Sequence, residues 1–247
     1  MAEESAKPLC ILIGAGEGLG ASIARKFAAE GFALALMSRS EGGSAAALAA
    51  ASEHCAAGEA AYYAADAGEP ASITAACTDA QAAMGPARVL IYNVRGYYAA
   101  KAPLDYNFDE LEQNYREEVI GALAAAKAVM PAMIETGSGT VIYSSATAGF
   151  RGSARNALYA LGKFGLRGLA QSLAKAYAQD GVHVAHVRLD CDLDVPLVRQ
   201  MYGDKLNVDN LANTDDVAET YYWVHQQPRS AWSNEVELRP YTENWTF

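Results

Sequence analysis

The sequence predicts an α/β fold, a single-domain doubly wound parallel sheet flanked by helices. Three observations predict it. Apolar runs of strand length alternate with helical patterns almost from end to end. The runs are continuous rather than alternating, as strands covered on both faces must be. A glycine-rich turn joins the first run to the first helix. The 247 residues suit one domain, and 51% hydrophobic against 19% charged positions excludes a disordered chain.

The first strand is Leu9–Ile13, followed by the glycine turn and a helix over Leu19–Glu30. Phe32–Met37 is the second strand, and the alanine-rich Ser44–Cys55 has high helix propensity. Ala60–Ala64 is the third strand; Pro70, placed for a first helical turn, opens a helix through Met84. Val89–Tyr92, Thr140–Tyr143 and Val182–Val187 are the next strands. Between them lie the two longest helical patterns, Phe108–Ile134 and Asn156–Gln179. Thr214-Asp-Asp has the character of an N-cap with an acidic first turn, for a helix ending before Pro228. Glu235–Leu238 can add a last short strand. No linker, charge run or repeat divides residues 1–247, so one domain is expected.

Charge and cysteine usage narrow the function classes. A net charge of -10 repels nucleic acid and anionic lipid, so neither is expected as a partner. Cys10, Cys55, Cys77 and Cys191 lie far apart with no CxxC pair and read as reduced thiols, not a disulfide frame or zinc site. His183 and His186 are three apart on a strand, hence on opposite faces, which is not a metal geometry. The short acidic-polar N-terminus is no signal peptide, and every apolar stretch is interrupted short of a membrane span. A cytoplasmic protein is expected.

The turn reads Gly14-Ala15-Gly16-Glu17-Gly18-Leu19-Gly20. A dinucleotide pyrophosphate needs a tight strand-to-helix turn, close backbone approach and free N–H groups at a helix start. Gly14, Gly18, Leu19 and Gly20 are therefore candidate cofactor contacts in a Rossmann-type arrangement. At the end of the second strand, an acidic residue would select NAD. Here Ser38 and Arg39 offer a hydroxyl and a guanidinium to a 2′-phosphate, which favours NADP, with NAD possible. Glu17 works against a phosphate by like charge. Farther along, Tyr159 and Lys163 stand four apart on one helix face. A cation beside a phenol lowers its pKa toward useful acid–base chemistry.

Together these features make the chain resemble the short-chain dehydrogenase/reductase family, as a divergent branch. The likeness spans the glycine turn Gly14–Gly20, Asp66, Asn93, Ser144-Ser145 and Tyr159/Lys163. It implies that Tyr159 is the acid/base protonating a carbonyl oxygen as hydride arrives. Lys163 would hold the nicotinamide ribose and depress the Tyr159 pKa. Ser145, or Ser144 in its place, would hydrogen-bond the substrate oxygen; Asp66 would approach the adenine and Asn93 would secure the cofactor.

Four positions depart from the family pattern. Asn-Asn-Ala-Gly becomes Tyr92-Asn93-Val94-Arg95. An asparagine of the long fourth helix becomes Glu118, which could hold a water, pair with Lys163 and compete for its charge, or be a charge satisfied at a helix bend. The serine spacing leaves Ser145 fourteen before Tyr159 with Ala146 at the usual thirteen, so a one-residue bulge is expected. Pro-Gly after the sixth strand becomes Asp190-Cys191, and a threonine becomes Val195.

Tyr97, Tyr98, Arg151, Met201 and Tyr202 fall in loops beyond the C-terminal strand ends, where ligands bind. Residues 192–213 are expected to form a substrate lid without clear periodicity; their apolar residues suit a substrate face or an oligomer contact. The aromatic-rich stretch 232–247 is expected at a subunit interface of a homodimer or homotetramer. The expected activity is NADP-preferring reduction of a small-molecule carbonyl, or oxidation of the alcohol. The alternative is a catalytically impaired nucleotide-binding protein acting through partner contacts. A cofactor-free lyase of the halohydrin dehalogenase kind would need a looser glycine turn and usually arginine at Lys163.

Overall fold

A computed structural model describes residues 7–242. The strands are β1 (Leu9–Ile13), β2 (Ala33–Ser38), β3 (Ala60–Ala64), β4 (Ala87–Tyr92), β5 (Gly139–Ala146), β6 (Val182–Leu189), the short β7 (Asp192–Leu193) and β8 (Leu211–Ala212), and β9 (Glu235–Leu238). The helices are α1 (Leu19–Ala29), α2 (Glu41–Ser52), α3 (Pro70–Met84), α4 (Phe108–Tyr115), α5 (Gly121–Glu135), α6 (Ala157–Tyr177), α7 (Pro196–Tyr202) and α8 (Thr214–Gln226). Seven strands form one parallel sheet in the order β3-β2-β1-β4-β5-β6-β9.

Strand alternation divides the apolar side chains between two cores. Leu9, Ile11 and Ile13 face one core with Ile73 of α3, Val129 of α5 and Leu166 of α6. Cys10 and Leu12 face the other with Phe27 of α1, Ala47 of α2 and Tyr221 of α8. Both faces of the sheet are thus covered, which is why the strands read as unbroken apolar runs. The chain leaves β1 toward β2 on one side and returns through β4 on the other. That reversal opens a crevice beyond the carboxyl ends of β1 and β4, where ligands bind in such sheets.

Several boundaries differ from the sequence reading for local reasons. Helix α2 begins at Glu41, because the Ser40 side chain accepts the Gly43 N–H as an N-cap. Asn213, not Thr214, caps α8 by accepting from the Asp215 N–H; Thr214 Oγ1 instead accepts from the Ser22 hydroxyl. The long helix over Phe108–Ile134 is broken into α4 and α5 by a π-helical turn, Arg116–Ile120. The expected bulge before Tyr159 is absent: β5 stays in register with β6 from Gly139↔Val182 to Ala146↔Leu189. The surplus residue is taken up after the strand, where Thr147–Gly149 forms a 3-10 turn.

The segment 192–213 is more ordered than its pattern predicts, because Pro196 at the first position starts α7 and β7 pairs with β8. Trp232 does not wait for a partner subunit: its ring stacks on His183 at 4.8 Å and its indole N–H reaches the Gln227 carbonyl. Tyr241 is exposed, and residues 243–247 of the expected interface stretch lie outside the described residues. All four cysteines are free, with Cys10 and Cys77 buried. No helix among the described residues is long and apolar enough to cross a membrane, and no cluster there could hold a metal ion.

Candidate active site

The glycine turn leaves β1 and enters α1 with two backbone anchors. The Gly14 and Ala15 N–H groups donate to the Met37 carbonyl, and Asn93 Nδ2 donates to the Gly14 carbonyl at 3.1 Å. Gly14 has φ +88°, and a Cβ there would lie 2.3 Å from the Asn93 carbonyl oxygen. Only glycine allows this seam to close. The N-terminus of α1 has no side-chain cap; the Ala21 N–H turns back to the Gly18 carbonyl, which leaves the Leu19 and Gly20 N–H groups for an anion.

A cleft of about 450 Å³ lies over this turn, lined by Gly14, Gly16, Ser38, Arg39, Asp66 and Asn93 among others. Asp66 Oδ1 accepts the Gly68 N–H at 2.9 Å, which holds the loop after β3 beside the cleft. Ser38 Oγ is engaged with the Ser40 carbonyl and the Ser44 hydroxyl, both at 2.7 Å. Arg39 is exposed and has no carboxylate partner among the described residues. Gly18, Leu19 and Gly20 do not line the cleft but form the start of α1; Gly18 lies against Val195, whose Cγ1 a Cβ would approach to 2.7 Å. The glycine turn, the loop after β2 and Asp66 could together hold a dinucleotide.

A second cavity, of about 770 Å³, adjoins the cleft. Arg95 and Tyr98 line both and form the boundary between them. Ser145, Asn156, Tyr159 and Arg151 supply polar groups to this cavity, while Leu193, Val195, Leu197 and Met201 give it an apolar side. The two serines of β5 have opposite fates. Ser144 Oγ accepts the Tyr221 hydroxyl at 2.8 Å in the core, whereas Ser145 Oγ is buried without a hydrogen-bond partner and borders the cavity. Strand alternation requires that only one of them can face the cavity.

Tyr159 is half-buried on α6, and its ring meets Tyr98 edge-on at 5.5 Å. Lys163 Nζ lies 5.7 Å from the centre of that ring. It donates to the Val94 carbonyl at 2.9 Å and the Ser144 carbonyl at 3.1 Å, and it pairs with Glu118 Oε2 at 2.7 Å. Glu118 Oε1 also accepts the Gly96 N–H at 2.8 Å. The π-turn brings Glu118 inward, and Gly162 lets α6 approach it: a Cβ at Gly162 would lie 2.4 Å from Asn114 Oδ1 and 2.8 Å from Glu118 Cγ.

This arrangement corrects the expectation that Lys163 depresses the tyrosine pKa. Burial raises the Tyr159 phenol well above its ordinary value, the Glu118 carboxylate raises it further, and only Arg95 pulls it down. Of the readings open for Glu118, the pairing with Lys163 is the one observed. Asp190 is likewise structural: it lies buried against Arg239 at 2.5 Å and Arg151 at 3.8 Å, and accepts from the Thr147 hydroxyl. Tyr97, Tyr98, Arg151, Met201 and Tyr202 all reach one cavity or the other, as their loop positions predict. Asn156 at the α6 start and Glu117 in the π-turn also line them and were not singled out. Asn156 could have been found as an asparagine opening the tyrosine helix; Glu117 carries no such signal.

Comparison with known proteins agrees with this geometry. The family model described as short chain dehydrogenase matches residues 9–191. The chain therefore belongs to the short-chain dehydrogenase family, a family of nicotinamide-dependent oxidoreductases. It is similar to a short-chain dehydrogenase from Rhodopseudomonas palustris at 31% identity and TM-score 0.79, covering 95% of this chain and 99% of that one. A metagenomic short-chain oxidoreductase solved in complex with NADP is similar at 27% identity and TM-score 0.81, over 96% and 99% of the two chains. The ketoacyl reductase HetN of Nostoc sp. is 29% identical over 181 residues, 72% of this chain. That match spans 61% of HetN's own length, less than two thirds.

Proposed function

We propose that this protein interconverts a carbonyl and an alcohol on a small, partly apolar molecule, with NADP(H) preferred and NAD(H) as the alternative. The observation that carries the reading is the placement of Ser145 and Tyr159 on one cavity that opens onto the glycine cleft at Arg95 and Tyr98. Bound in the cleft, the nicotinamide would supply or accept hydride. Ser145 Oγ, unpartnered and at the cavity wall, would donate to the substrate oxygen. Tyr159 would exchange a proton with that oxygen. The Leu193, Leu197 and Met201 side would cover the substrate and exclude water, the role proposed for the lid 192–213.

Preference for NADP(H) rests on Arg39, exposed at the end of β2 beside Ser38 and Ser40, where a guanidinium can pair with a 2′-phosphate. The NADP complex of the metagenomic relative supports the same assignment. A homodimer or homotetramer is proposed on the exposed apolar side chains Phe108, Tyr115 and Leu161, which share a surface pocket of α4, the π-turn and α6. The reading of a nucleotide-binding protein without turnover draws on one observation, that Lys163 is already held by the Val94 and Ser144 carbonyls and paired with Glu118.

Thermal unfolding with NADPH, with NADH and without nucleotide tests the cofactor site, since a ligand at one hundred times its Kd adds about 2.7 kcal/mol. A larger rise in Tm with NADPH than with NADH is expected; no rise with either would defeat the reading. A carbonyl panel assayed for NADPH consumption then separates the enzyme from the nucleotide binder.

A further inference from the structure

Glu118 and Lys163 form an ion pair with almost no solvent exposure, 0% and 2% at their side chains. Such pairs are weak sources of stability, because desolvating two ions roughly offsets their attraction. Two apolar side chains would fill the same space without that cost. What the pair does have is a place: its lysine ammonium lies 5.7 Å from the centre of the Tyr159 ring. A lone cation within about 4 to 6 Å of an acid favours the ionised form of that acid. Here the cation has a carboxylate 2.7 Å away, held from its other oxygen by the Gly96 N–H.

We propose that Glu118 is a positioning residue that cancels the Lys163 charge beneath Tyr159, so that the site is built to give a proton to a carbonyl oxygen and to take one from an alcohol only in alkaline solution. The proposal rests on the oxidoreductase reading above. In reduction, the carbonyl carbon accepts hydride from a dihydronicotinamide, which is thereby oxidised. The C=O π pair moves to oxygen, a C–H bond forms, and the oxygen takes the Tyr159 phenol proton to become the alcohol. The phenolate left behind is reprotonated from water. The alkoxide that forms is about as basic as hydroxide, so even a weakly acidic phenol protonates it downhill. The reverse reaction needs Tyr159 already ionised, and with Lys163 neutralised that form is scarce at neutral pH.

Charged and titratable groups face Tyr159 from several elements. Lys163 faces it from its own helix and Glu118 from the π-turn. Arg95 and Tyr98 face it from the loop after β4, the guanidinium 5.4 Å from the Tyr98 ring centre. Across the cavity stand Arg151, paired with Asp190, and Cys191, Asp192 and Tyr202. Burial raises the phenol pKa most, Glu118 adds to it and Tyr98 adds a little; Arg95 alone opposes.

The test follows Tyr159 directly, by 13Cζ-tyrosine NMR over a pH titration of the whole chain without nucleotide, with Tyr159→Phe assigning the signal. The wild-type Tyr159 signal is expected to stay protonated well past the ordinary phenol midpoint of about 10. Glu118→Gln should lower its midpoint by about one unit or more. The double variant Glu118→Gln with Lys163→Met should return it close to wild type. A wild-type midpoint at or below about 10 overturns the proposal without any variant. An unchanged midpoint in Glu118→Gln, or a double variant that falls as far as the single, overturns it as well. On activity, the alkaline rise of alcohol oxidation should move to lower pH in Glu118→Gln by the same shift, while a purely structural role would lower the rate at every pH alike. The NMR readout needs neither cofactor nor substrate, so its failure is distinct from failure of the oxidoreductase reading, which the nucleotide-dependent Tm decides.

Discussion

The glycine cleft and the tyrosine cavity lie side by side at the same edge of the sheet, yet they are built on different principles. The cleft is made of backbone: a closed turn at Gly14, an uncapped helix start at α1, and a loop held by Asp66. One of its charged side chains, Arg39, reaches solvent. The cavity takes Tyr159 and Ser145 into its wall, and behind that wall buried polar side chains contact one another: Lys163 against Glu118, and Ser144 tied to Tyr221. A backbone site tolerates exchange of most neighbouring side chains. A coupled side-chain site changes its chemistry when one member changes, and Glu118, where the resemblance implies an asparagine, is the member we propose to act so.

The contrast is tested most strongly at Tyr159. Tyr159→Phe is expected to lower kcat by about 10² to 10⁴, the usual range for a general acid, with the NADPH Kd from fluorescence titration unchanged. Loss of NADPH binding in that variant would break the separation of the two regions. Ser145→Ala should lower kcat by about 10² to 10³, as for removal of a donor to a reacting oxygen, with no loss of thermal stability. On the cleft side, Arg39→Ala should weaken NADPH about 10- to 100-fold, the worth of a charge-assisted bond of some 1.5–3 kcal/mol. NADH should hardly be affected, and equal losses would remove Arg39 from the preference. Ser144→Ala is the smallest effect on rate. It should instead cost about 1–3 kcal/mol of stability in urea unfolding, because the buried Tyr221 hydroxyl loses its acceptor.

Legibility followed the same division. The glycine turn could be read because its requirement is local: a short stretch of chain must bend, approach a ligand and start a helix. Ala60–Ala64 and Pro70–Met84 were read to the residue for a similar reason, since an apolar run and a proline at the first helical position act within the segment. Asn213 was missed as a cap because Asn and Thr next to each other are both good caps, and only the backbone shows which one turns. The ordered helix inside 192–213 was missed because its apolar residues serve a cavity instead of a helix face. For Glu118 the sequence offered three readings and no means of choosing. The choice came from the π-turn and from Gly162, two features of different helices that meet only when the chain is folded.

By itself, then, the sequence determined the parallel α/β architecture, the glycine turn between β1 and α1, and the placement of Tyr159 and Lys163 one turn apart on a single helix, because periodicity and turn chemistry act over a few residues. Only the tertiary structure decided which β5 serine faces the cavity, that Asp190 is tied to Arg151 and Arg239, and that Lys163 pairs with Glu118. These depend on contacts across long sequence separations, such as Ser144 to Tyr221 and Lys163 to Val94. In a buried site of low dielectric, such contacts set the charge on each group more strongly than its own chemistry does.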